Sequence, residues 1–398
     1  MTKMRPMDRR SQPFHGPTPL VMVKGAYDRA GGPETVLQTI VRHLDRERFP
    51  PLLALLAGAA QPLPPVLGDL VTRVPSAVLP WRGLGGAPGS ALQLARLLDE
   101  RPGAILHTND MRADLLAWMI TRVRRVPWIA HVHGWLRHTH SGRHKLYEDI
   151  DRFLIRGADL VLVGSSAMAE EVRLAGGRRV EIVSNGIAAA APTQHDAEAA
   201  AIRQRIAPGG GLLAGILGRL HPGKGQALLI EALPRLRAGG LDIAVVLMGE
   251  GPAEAEYRAL ADRLGVGAHV HFAGLVAETL PWLRAMDMVC VPSLKDSLPL
   301  TALEAMSVAR PVIASRAGDL PLAITDGEHG LLVEVGSSAA LEAAVERLAR
   351  SPALRAELGE AGRQRLTARY TPEAMLRQLE GYCAELIVER GPDRGAQR

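Results

Sequence analysis

Four charged side chains on two turns form the most informative pattern in this 398-residue sequence. Arg219 and Lys224 lie in a glycine-containing turn after the apolar run 212–217, while Asp296 and Glu304 stand eight positions apart around a predicted helix start. Guanidinium and ammonium groups bind phosphate oxygens, and carboxylates accept hydrogen bonds from vicinal hydroxyls. The pattern is therefore typical of a site that holds a diphosphate beside a sugar-like polyol.

The second turn also offers backbone donors. The segment SLKDSLPLTALEAM (293–306) reads as a turn that leads into a helix, and the unpaired N–H groups of a helix start attract phosphate. We expect the N–H groups of Leu298, Leu300 and Thr301 to point at diphosphate oxygens, whereas Pro299 has no N–H and can only shape the turn. The alternative is that the two acids are a helix cap and a surface residue, and that the two cations are surface residues near a turn.

The first turn matches most of the phosphate-loop motif of nucleoside triphosphatases. Gly218, four residues, Gly223 and Lys224 match it, but the next residue is Gly225 rather than the Ser or Thr whose hydroxyl binds magnesium. A triphosphatase is therefore disfavoured.

A second motif suggests a metal and is also disfavoured. Metal-dependent sugar transferases use an acid triplet directly after a strand, whereas Asp149-Ile150-Asp151 lies in a segment with helical spacing of Leu146, Ile150, Phe153 and Leu154. We expect these acids to face solvent or the nearby arginines, Arg152 and Arg156. No metal site is predicted.

Composition favours a two-domain globular enzyme. The length exceeds what one hydrophobic core usually supports, and aromatic residues at 4% argue against a nucleic-acid stacking surface. Residues 1–198 contain 25 Lys/Arg and 19 Asp/Glu, a balance of +6, and the rest contains 22 and 23, a balance of −1. The basic half could meet an anionic acceptor or a membrane surface, or could simply be a solvated arginine-rich surface.

Cellular location follows from three absences in the sequence. Cys290 and Cys383 are too few and too distant for a disulfide framework, no apolar run reaches the ~18 residues of a spanning helix, and residues 1–18 lack a signal core and resemble a disordered tail. We expect a cytoplasmic protein, with peripheral contact at the inner face of the membrane as an option.

Strand-like and helix-like segments alternate along most of the chain. Buried runs such as PLVMVKG, PPLLALLAG and DMVCVPS end near glycines and precede amphipathic segments, which predicts an α/β protein with two doubly wound parallel sheets. We expect a Rossmann-like domain at 19–190, a linker, a second Rossmann-like domain at 205–371, and a C-terminal helix at 372–390. Two such domains would face a central cleft.

The ordered motifs resemble glycosyltransferase family 4, a family of retaining enzymes with the two-domain GT-B fold. The likeness covers roughly residues 20–388. It includes Gly31-Gly32 with Glu34, His133-Gly134, the SNGI at 184–187, the GRL…KG turn, the GEGP at 249–252 and the acid pair. It implies metal-independent transfer of a hexose-type sugar from a nucleoside-diphosphate sugar, with no further cofactor and with UDP favoured over GDP. It also implies that the domain at 19–190 binds the acceptor, that the domain at 205–371 binds the nucleotide sugar, and that the helix at 372–390 packs back on the first domain.

Residue roles follow from that resemblance. Arg219 and Lys224 would hold the donor diphosphate, Glu304 the ribose hydroxyls, and Asp296 the hydroxyls of the transferred sugar. The resemblance further implies that Gly31 and Gly32 bring the backbone close to phosphate or acceptor, and that His133 hydrogen-bonds the donor sugar or polarises the reacting centre. The chain departs from the family at Asp296, where Glu is usual, at Ser297-Leu298, at Pro321-Leu322 and at Arg310.

The sequence gives fewer signals for the acceptor than for the donor. The segment 134–147, with three histidines and several cations, is either an acceptor loop for an anionic or lipid-diphosphate substrate or a solvated loop. A zinc site made from His131, His133, His138 and His140 is disfavoured because no Cys or Asp completes it. The competing functions are a nucleotide-sugar epimerase of related fold and a non-catalytic donor-binding or partner subunit.

Overall fold

The computed structural model describes residues 16–27, 32–58, 63–135, 143–191, 193, 195–296 and 298–390. The chain divides into two compact units, one formed by the residues up to Val161 together with those from Tyr382 onward, the other by Leu162–Gly381. Over the described residues, two parallel sheets of seven and six strands carry helices between their strands. This confirms the predicted α/β fold with two Rossmann-like sheets, while the expected domain bounds and the central cleft stay predictions.

The first sheet lies in the amino-terminal part of the chain. Its strands are β1 (Leu20–Gly25), β2 (Pro51–Ala57), β3 (Ser76–Pro80), β4 (Ile105–Thr108), β5 (Trp128–Val132), β6 (Leu160–Val163) and β7 (Val180–Ile182), and its helices are α1 (Gly32–His43), α2 (Pro65–Arg73), α3 (Ala87–Asp99), α4 (Met111–Thr121), α5 (Arg143–Leu154) and α6 (Ser166–Leu174). The strand order is β3-β2-β1-β4-β5-β6-β7. β1, β2, β4 and β5 are buried at every position because a parallel sheet is covered on both faces.

The second sheet follows the same plan. Its strands are β8 (Leu212–Leu217), β9 (Ile243–Met248), β10 (Val270–Gly274), β11 (Met288–Val291), β12 (Val312–Ser315) and β13 (Leu331–Val333), and the helices from the segment before it to the end of the described chain are α7 (Asp196–Ile206), α8 (Gln226–Ala238), α9 (Glu254–Arg263), α10 (Leu280–Ala285), α11 (Leu300–Ser307), α12 (Leu320–Ala323), α13 (Ser338–Arg350), α14 (Pro352–Arg369) and α15 (Pro372–Arg390). The strand order is β10-β9-β8-β11-β12-β13.

Each sheet reverses its winding direction at one place. In the first sheet the reversal lies between β1 and β4, and in the second it lies between β8 and β11. Ligands of open α/β sheets bind outside the carboxyl ends of the strands at such a reversal. The fold therefore marks two positions for functional residues, one in each sheet.

Sequence reasoning missed several elements. The strand β3 escaped notice because its five residues are largely exposed and carry no alternating pattern. Helix α14 was overlooked, and α7 occupies much of the expected linker. Cys290 is buried in β11 as expected, and burial raises the pKa of its thiol to about 12. Among the described residues, no helix has both the length and the apolar character that crossing a bilayer requires.

Candidate functional site

The reversal point of the second sheet brings two of the predicted turns together. The turn after β8 and the turn after β11 are joined by a hydrogen bond from the Leu294 N–H to the Gly223 carbonyl, with an N–O distance of 2.9 Å. The Lys224 Nζ lies 2.5 Å from the Asp296 Oδ2. Lys224 and Asp296, 72 positions apart in sequence, are thus direct partners in one site.

Lys224 and Asp296 sit in a partly buried pair. The Lys224 side chain is 36% exposed and that of Asp296 is 16% exposed. The Ser293 hydroxyl also donates to the Asp296 Oδ2 at 3.0 Å, and the Ser315 hydroxyl donates to the Ser293 carbonyl at 2.6 Å. These hydroxyls fix the carboxylate beside the ammonium group, and Ser293 is a site residue that sequence reasoning missed.

Arg219 differs from Lys224 in its surroundings. Arg219 is exposed, and among the described residues its guanidinium has no hydrogen-bond or ion-pair partner. Its backbone carbonyl accepts a hydrogen bond of 2.9 Å from the buried Gln226 side chain, which in turn accepts one from the Tyr257 hydroxyl. The backbone of the turn is therefore held, while the guanidinium remains available for an anion.

Close backbone approach explains the glycine pattern of this site. Gly225 has φ +73°, and a Cβ there would lie 2.1 Å from the Pro292 carbonyl oxygen. A Cβ on Gly249 (φ +131°), at the start of the GEGP segment, would lie 2.3 Å from the Gly218 carbonyl oxygen. Only glycine lets the loops after β8, β9 and β11 pack this tightly.

The start of α11 borders the same turns. The Thr301 hydroxyl donates to the Leu217 carbonyl at the end of β8, with a distance of 3.1 Å. Leu298 is buried, and Leu300 begins the helix after the cap residue Pro299. Glu304, in the second turn of α11, is half-buried, and burial raises the pKa of its carboxyl. The Thr301 hydrogen bond thus ties the start of α11 to the end of β8; what the N–H groups of this helix start and the Glu304 carboxyl bind stays a prediction.

The reversal point of the first sheet contains a cavity of about 520 Å³. The ends of β1, β4 and β5 supply Lys24, Asn109, Asp110 and His133, so the cavity lies where the fold predicts a ligand. Carboxylates and aromatic rings from the surrounding helices and loops complete its wall. Those residues include Tyr27, Glu34, Trp81, Arg112, Asp114, Trp135, Tyr147, Glu148 and Asp151.

His133, the predicted catalytic histidine, lines this cavity as the outer member of a stack of three imidazoles. The ring centroids of His133 and His131 lie 4.3 Å apart, and those of His131 and His107 lie 5.5 Å apart. Burial lowers the pKa of His131 to about 4, and burial with the neighbouring rings and Lys24 lowers that of His133 well below its usual value. His133 is therefore neutral near pH 7 and able to accept a proton or a hydrogen bond.

The acid triplet lies in helix α5 as predicted, but the expectation that its acids face solvent is wrong for Asp151. Asp151 is 8% exposed, and the Trp135 indole N–H donates to its Oδ2 at 2.8 Å. Leu146 and Phe153, predicted to face the core, are 55% and 53% exposed. The helix is rotated relative to the prediction because its polar face packs on the cavity wall.

Asp151 pairs with a second buried carboxyl group. Asp114 on α4 is hydrogen-bonded to Asp151, and the Thr108 hydroxyl donates to Asp114 Oδ1 at 2.5 Å. Burial and the facing carboxylate raise the pKa of Asp114 well above its usual range. Two buried acids that face each other do not both ionise readily, so the pair shares a proton.

Three predicted features fall wholly or partly outside the described residues. Gly31 lies outside them, whereas Gly32 is the first residue of α1. Half of the expected acceptor loop, residues 136–142, also lies outside them, as does Ser297. Trp135, at the beginning of that loop, is buried against Asp151.

Comparison with known families identifies both halves of the chain. Residues 31–186 match the family described as "Glycosyl transferase 4-like domain", and residues 212–351 match the family described as "Glycosyl transferases group 1". The structure resembles a crystal structure of the Anabaena protein HepE in complex with UDP, with a TM-score of 0.76 and 22% identity over 92% of this chain and all of that one. The fold is thus that of the GT-B glycosyltransferases.

Curated relatives show which glycosyltransferases the sequence is similar to. The chain is 36% identical to a GDP-mannose-dependent phosphatidylinositol monomannoside mannosyltransferase of Mycolicibacterium smegmatis over 41% of this chain and 45% of that one. It is 28% identical to the D-inositol 3-phosphate glycosyltransferase of Corynebacterium glutamicum over 64% and 66% of the two chains. The matches span 38%, 66% and 62% of the length of the first three relatives. The chain belongs to the family 4 type of glycosyltransferases.

Proposed function

We propose that this protein is a retaining, metal-independent glycosyltransferase that moves a hexose-type sugar from a nucleoside-diphosphate sugar to a saccharide or lipid-linked acceptor. The observation that carries the proposal is the joined pair of turns in the second sheet, where Lys224 contacts Asp296 and the Arg219 side chain is exposed. UDP is favoured as the donor nucleotide, and the UDP-bound Anabaena structure supports this choice. The GDP-mannose-dependent relative makes GDP the alternative to test.

The chemistry follows from the charges at the joined turns. As the bond between the anomeric carbon and the diphosphate oxygen breaks, positive charge develops on the sugar and negative charge on the diphosphate. Arg219 and Lys224 would stabilise the departing diphosphate, which is electrostatic preorganisation. The acceptor oxygen would attack the same face of the sugar, and its proton would pass to a leaving phosphate oxygen or to neutral His133.

The Lys224–Asp296 ion pair would change partners when the donor binds. Lys224 would exchange part of its contact with Asp296 for a phosphate oxygen, and Asp296 would accept hydrogen bonds from sugar hydroxyls. Glu304 would bind the ribose hydroxyls. The shorter Asp side chain at position 296 suits this arrangement because it reaches Lys224 directly.

A panel of nucleotide sugars tests the function. Purified protein is incubated with UDP- and GDP-linked hexoses, with and without saccharide acceptors, and the products are resolved by mass spectrometry. Release of nucleoside diphosphate with a glycosylated acceptor supports transfer. An isomeric nucleotide sugar would instead indicate an epimerase, and binding without turnover would indicate a non-catalytic subunit.

A membrane contact is a separate part of the proposal. Exposed Phe153 lies beside Trp118, with ring centroids 6.2 Å apart, and Val123 is 80% exposed. The guanidinium of Arg122 lies 4.3 Å from the Trp118 ring, and that of Arg156 lies 5.9 Å from the Phe153 ring. Aromatic rings flanked by cations suit the interface of an anionic bilayer.

Vesicle flotation tests this contact. The protein should float with phosphatidylglycerol vesicles and not with phosphatidylcholine vesicles, and the double variant Arg122→Glu, Arg156→Glu should lose binding. Arg235→Glu, a charge reversal at an exposed position on α8, is the matched control. Equal flotation of the double variant and the wild type would refute the assigned surface.

A further inference from the structure

The lining of the cavity at the reversal point of the first sheet suits a polar ring. Its walls combine aromatic side chains, including Tyr27, Trp81 and Tyr147, with carboxyl groups from α1, α4 and α5. Aromatic faces pack against the apolar faces of sugar rings, while carboxylates accept hydrogen bonds from their hydroxyls. A volume of about 520 Å³ lies within the range typical of small-ligand sites.

Lys24, a buried cation of this cavity, is already neutralised. Its Nζ lies 3.1 Å from Glu34 Oε1 and 3.3 Å from Asp110 Oδ2, and its side chain is 3% exposed. The ammonium group also lies 4.6 Å from the centre of the Tyr27 ring. Because two carboxylates share one ammonium group, Lys24 has little remaining attraction for an incoming anion.

Arg112, the other cation lining the cavity, is also engaged. Its guanidinium lies 4.4 Å from the Tyr27 ring centre and 5.6 Å from that of Trp81, and it donates to the Ala26 carbonyl at 3.4 Å. Stacking of this kind turns the flat faces of the guanidinium toward the rings. Arg112 thus supports the aromatic wall and offers no preformed phosphate clamp.

Buried polar atoms in the cavity wall still lack hydrogen-bond partners. Among the described residues, His131 Nδ1, His133 Nε2 and Asp151 Oδ1 have no partner, and His131 is only 3% exposed. Asp151 Oδ1 can share the proton of the Asp114 pair, but the two imidazole nitrogens need another partner. A buried polar atom left unpaired is unfavourable, and the hydroxyl groups of a bound sugar both donate and accept hydrogen bonds, so they would satisfy these nitrogens in either tautomer.

Resting on the proposed function, we propose that this cavity takes a carbohydrate ring that carries hydroxyl or ammonium groups and no phosphate. The ring would be the acceptor itself or the terminal sugar of a lipid-linked acceptor. Carboxyl groups outnumber cations among the described residues that line the cavity, and both cations there are engaged. A phosphorylated ring would meet like charges, whereas an amino sugar would gain a carboxylate partner. The expected preference for an anionic acceptor is therefore reversed for the ring that occupies this cavity.

Three sugars that share the glucose ring and carry different charges test the preference. Glucosamine, glucose and glucose 6-phosphate are titrated separately against the intact protein, and binding is followed by saturation-transfer NMR. Glucosamine and glucose should bind, and glucose 6-phosphate should bind at least about tenfold more weakly. Equal affinities, tightest binding of the phosphate, or no binding of any sugar would each overturn the inference.

The variant Glu34→Gln tests the role of Lys24. Lys24 with its two carboxylates carries a net charge of −1, and removal of the Glu34 charge brings this group to zero, so that glucose 6-phosphate gains at least about threefold in affinity relative to glucose. Glu231→Gln, at an exposed position on α8, is the matched control and should change nothing. An unaltered phosphate preference in a folded Glu34→Gln protein would refute the neutralisation of Lys24.

Calorimetry with UDP separates this inference from the proposed function. UDP binding to the same samples reports on the joined turns of the second sheet alone. If UDP does not bind but the sugars show the expected dependence on charge, the donor proposal is refuted and the inference about the sugar cavity is supported. UDP binding with no charge preference would refute only the inference about the cavity.

Discussion

The two reversal points hold their cations in opposite ways. In the second sheet, Arg219 is exposed without a described partner and Lys224 has one partner, so positive charge remains available to a ligand. In the first sheet, Lys24 lies buried between two carboxylates. The charges at the second reversal point thus suit an anion, whereas those at the first suit an uncharged or cationic group. The difference comes from the carboxylates that contact each cation rather than from the backbone. The two sites occupy the same position relative to their sheets.

The largest expected effect comes from removing the two cations, Arg219 and Lys224, at the reversal point of the second sheet. Lys224→Ala and Arg219→Ala should each reduce turnover about 10²–10³-fold, because each removes a group that stabilises charge in the transition state. Steady-state rates of nucleoside diphosphate release measure the loss, and thermal unfolding checks that the fold is intact. Arg235→Ala is the control, an arginine on α8 that is 73% exposed and pairs with Glu342. Wild-type turnover in either site variant would refute the assignment.

A glycine substitution tests how tightly the two turns of the anion site are packed. Gly225→Ala combines a positive φ with a Cβ that would overlap the Pro292 carbonyl, so we expect a loss of about 2–4 kcal/mol in the free energy of unfolding. Gly265→Ala is the matched control because Gly265 also has a positive φ, +70°, but open space at its Cβ. It should lose only about 1 kcal/mol. Urea unfolding gives both values, and equal losses would show that the clash is relieved cheaply.

The buried acid pair of the first sheet makes a pH-dependent prediction. The pKa of Asp114 is raised in the folded protein above its usual value of 3.8, so the folded state holds this proton more tightly than the unfolded state. The stability from this proton is full below the unfolded pKa and is lost as the pH rises through the folded pKa. Wild type should therefore lose stability through this group as the pH rises above the usual value of 3.8 and through the raised pKa of the folded state.

The variant Asp114→Asn sharpens that prediction. The Asn amide can donate to Asp151 at every pH, so the pH-dependent loss of stability should become shallower. Urea unfolding at about pH 5 and about pH 8 measures the slope. Asp149→Asn, an exposed position on the same helix as Asp151, should leave the slope unchanged. An unchanged slope in Asp114→Asn would contradict the shared proton.

The smallest effect separates two roles of Thr301. Thr301→Val removes the hydroxyl that donates to the Leu217 carbonyl but keeps the backbone N–H that we expect to face the donor diphosphate. We expect a loss of about 1 kcal/mol in the free energy of unfolding, and turnover within about threefold of wild type, since only the hydroxyl is lost. Turnover reduced as strongly as in Lys224→Ala would show that the hydroxyl itself acts on the substrate.

The sequence singled out the two turns that the structure joins in the second sheet because their signals are local. The turn with Arg219 and Lys224 follows a buried strand, and Asp296 precedes a helix start, so the chemistry of each turn is visible in a few residues. The contact between Lys224 and Asp296 needs the sheet order, which places β8 beside β11. The alternation of segments predicted two doubly wound sheets but did not by itself reveal the sheet order.

The cavity of the first sheet was largely invisible in the sequence because its residues come from separate elements. Lys24 ends an ordinary buried strand, and Asp151 sits in a helix whose apolar spacing suggested the wrong face. Burial of Asp151 depends on Trp135 and Asp114, which lie 16 and 37 positions away in the chain. Only the packing of α4 and α5 reveals that a polar helix face lines a ligand cavity.

The interlocked loops of the second sheet limit how donor choice can be re-engineered. The Leu294 N–H bonds the Gly223 carbonyl, and Gly225 leaves no room between its own backbone and Pro292. In a chimera that takes only one of these loops from a relative, the new loop would not fit the surface of the loop that was kept. Transplanted specificity would therefore require residues 218–225 and 292–301 to be exchanged as a single block.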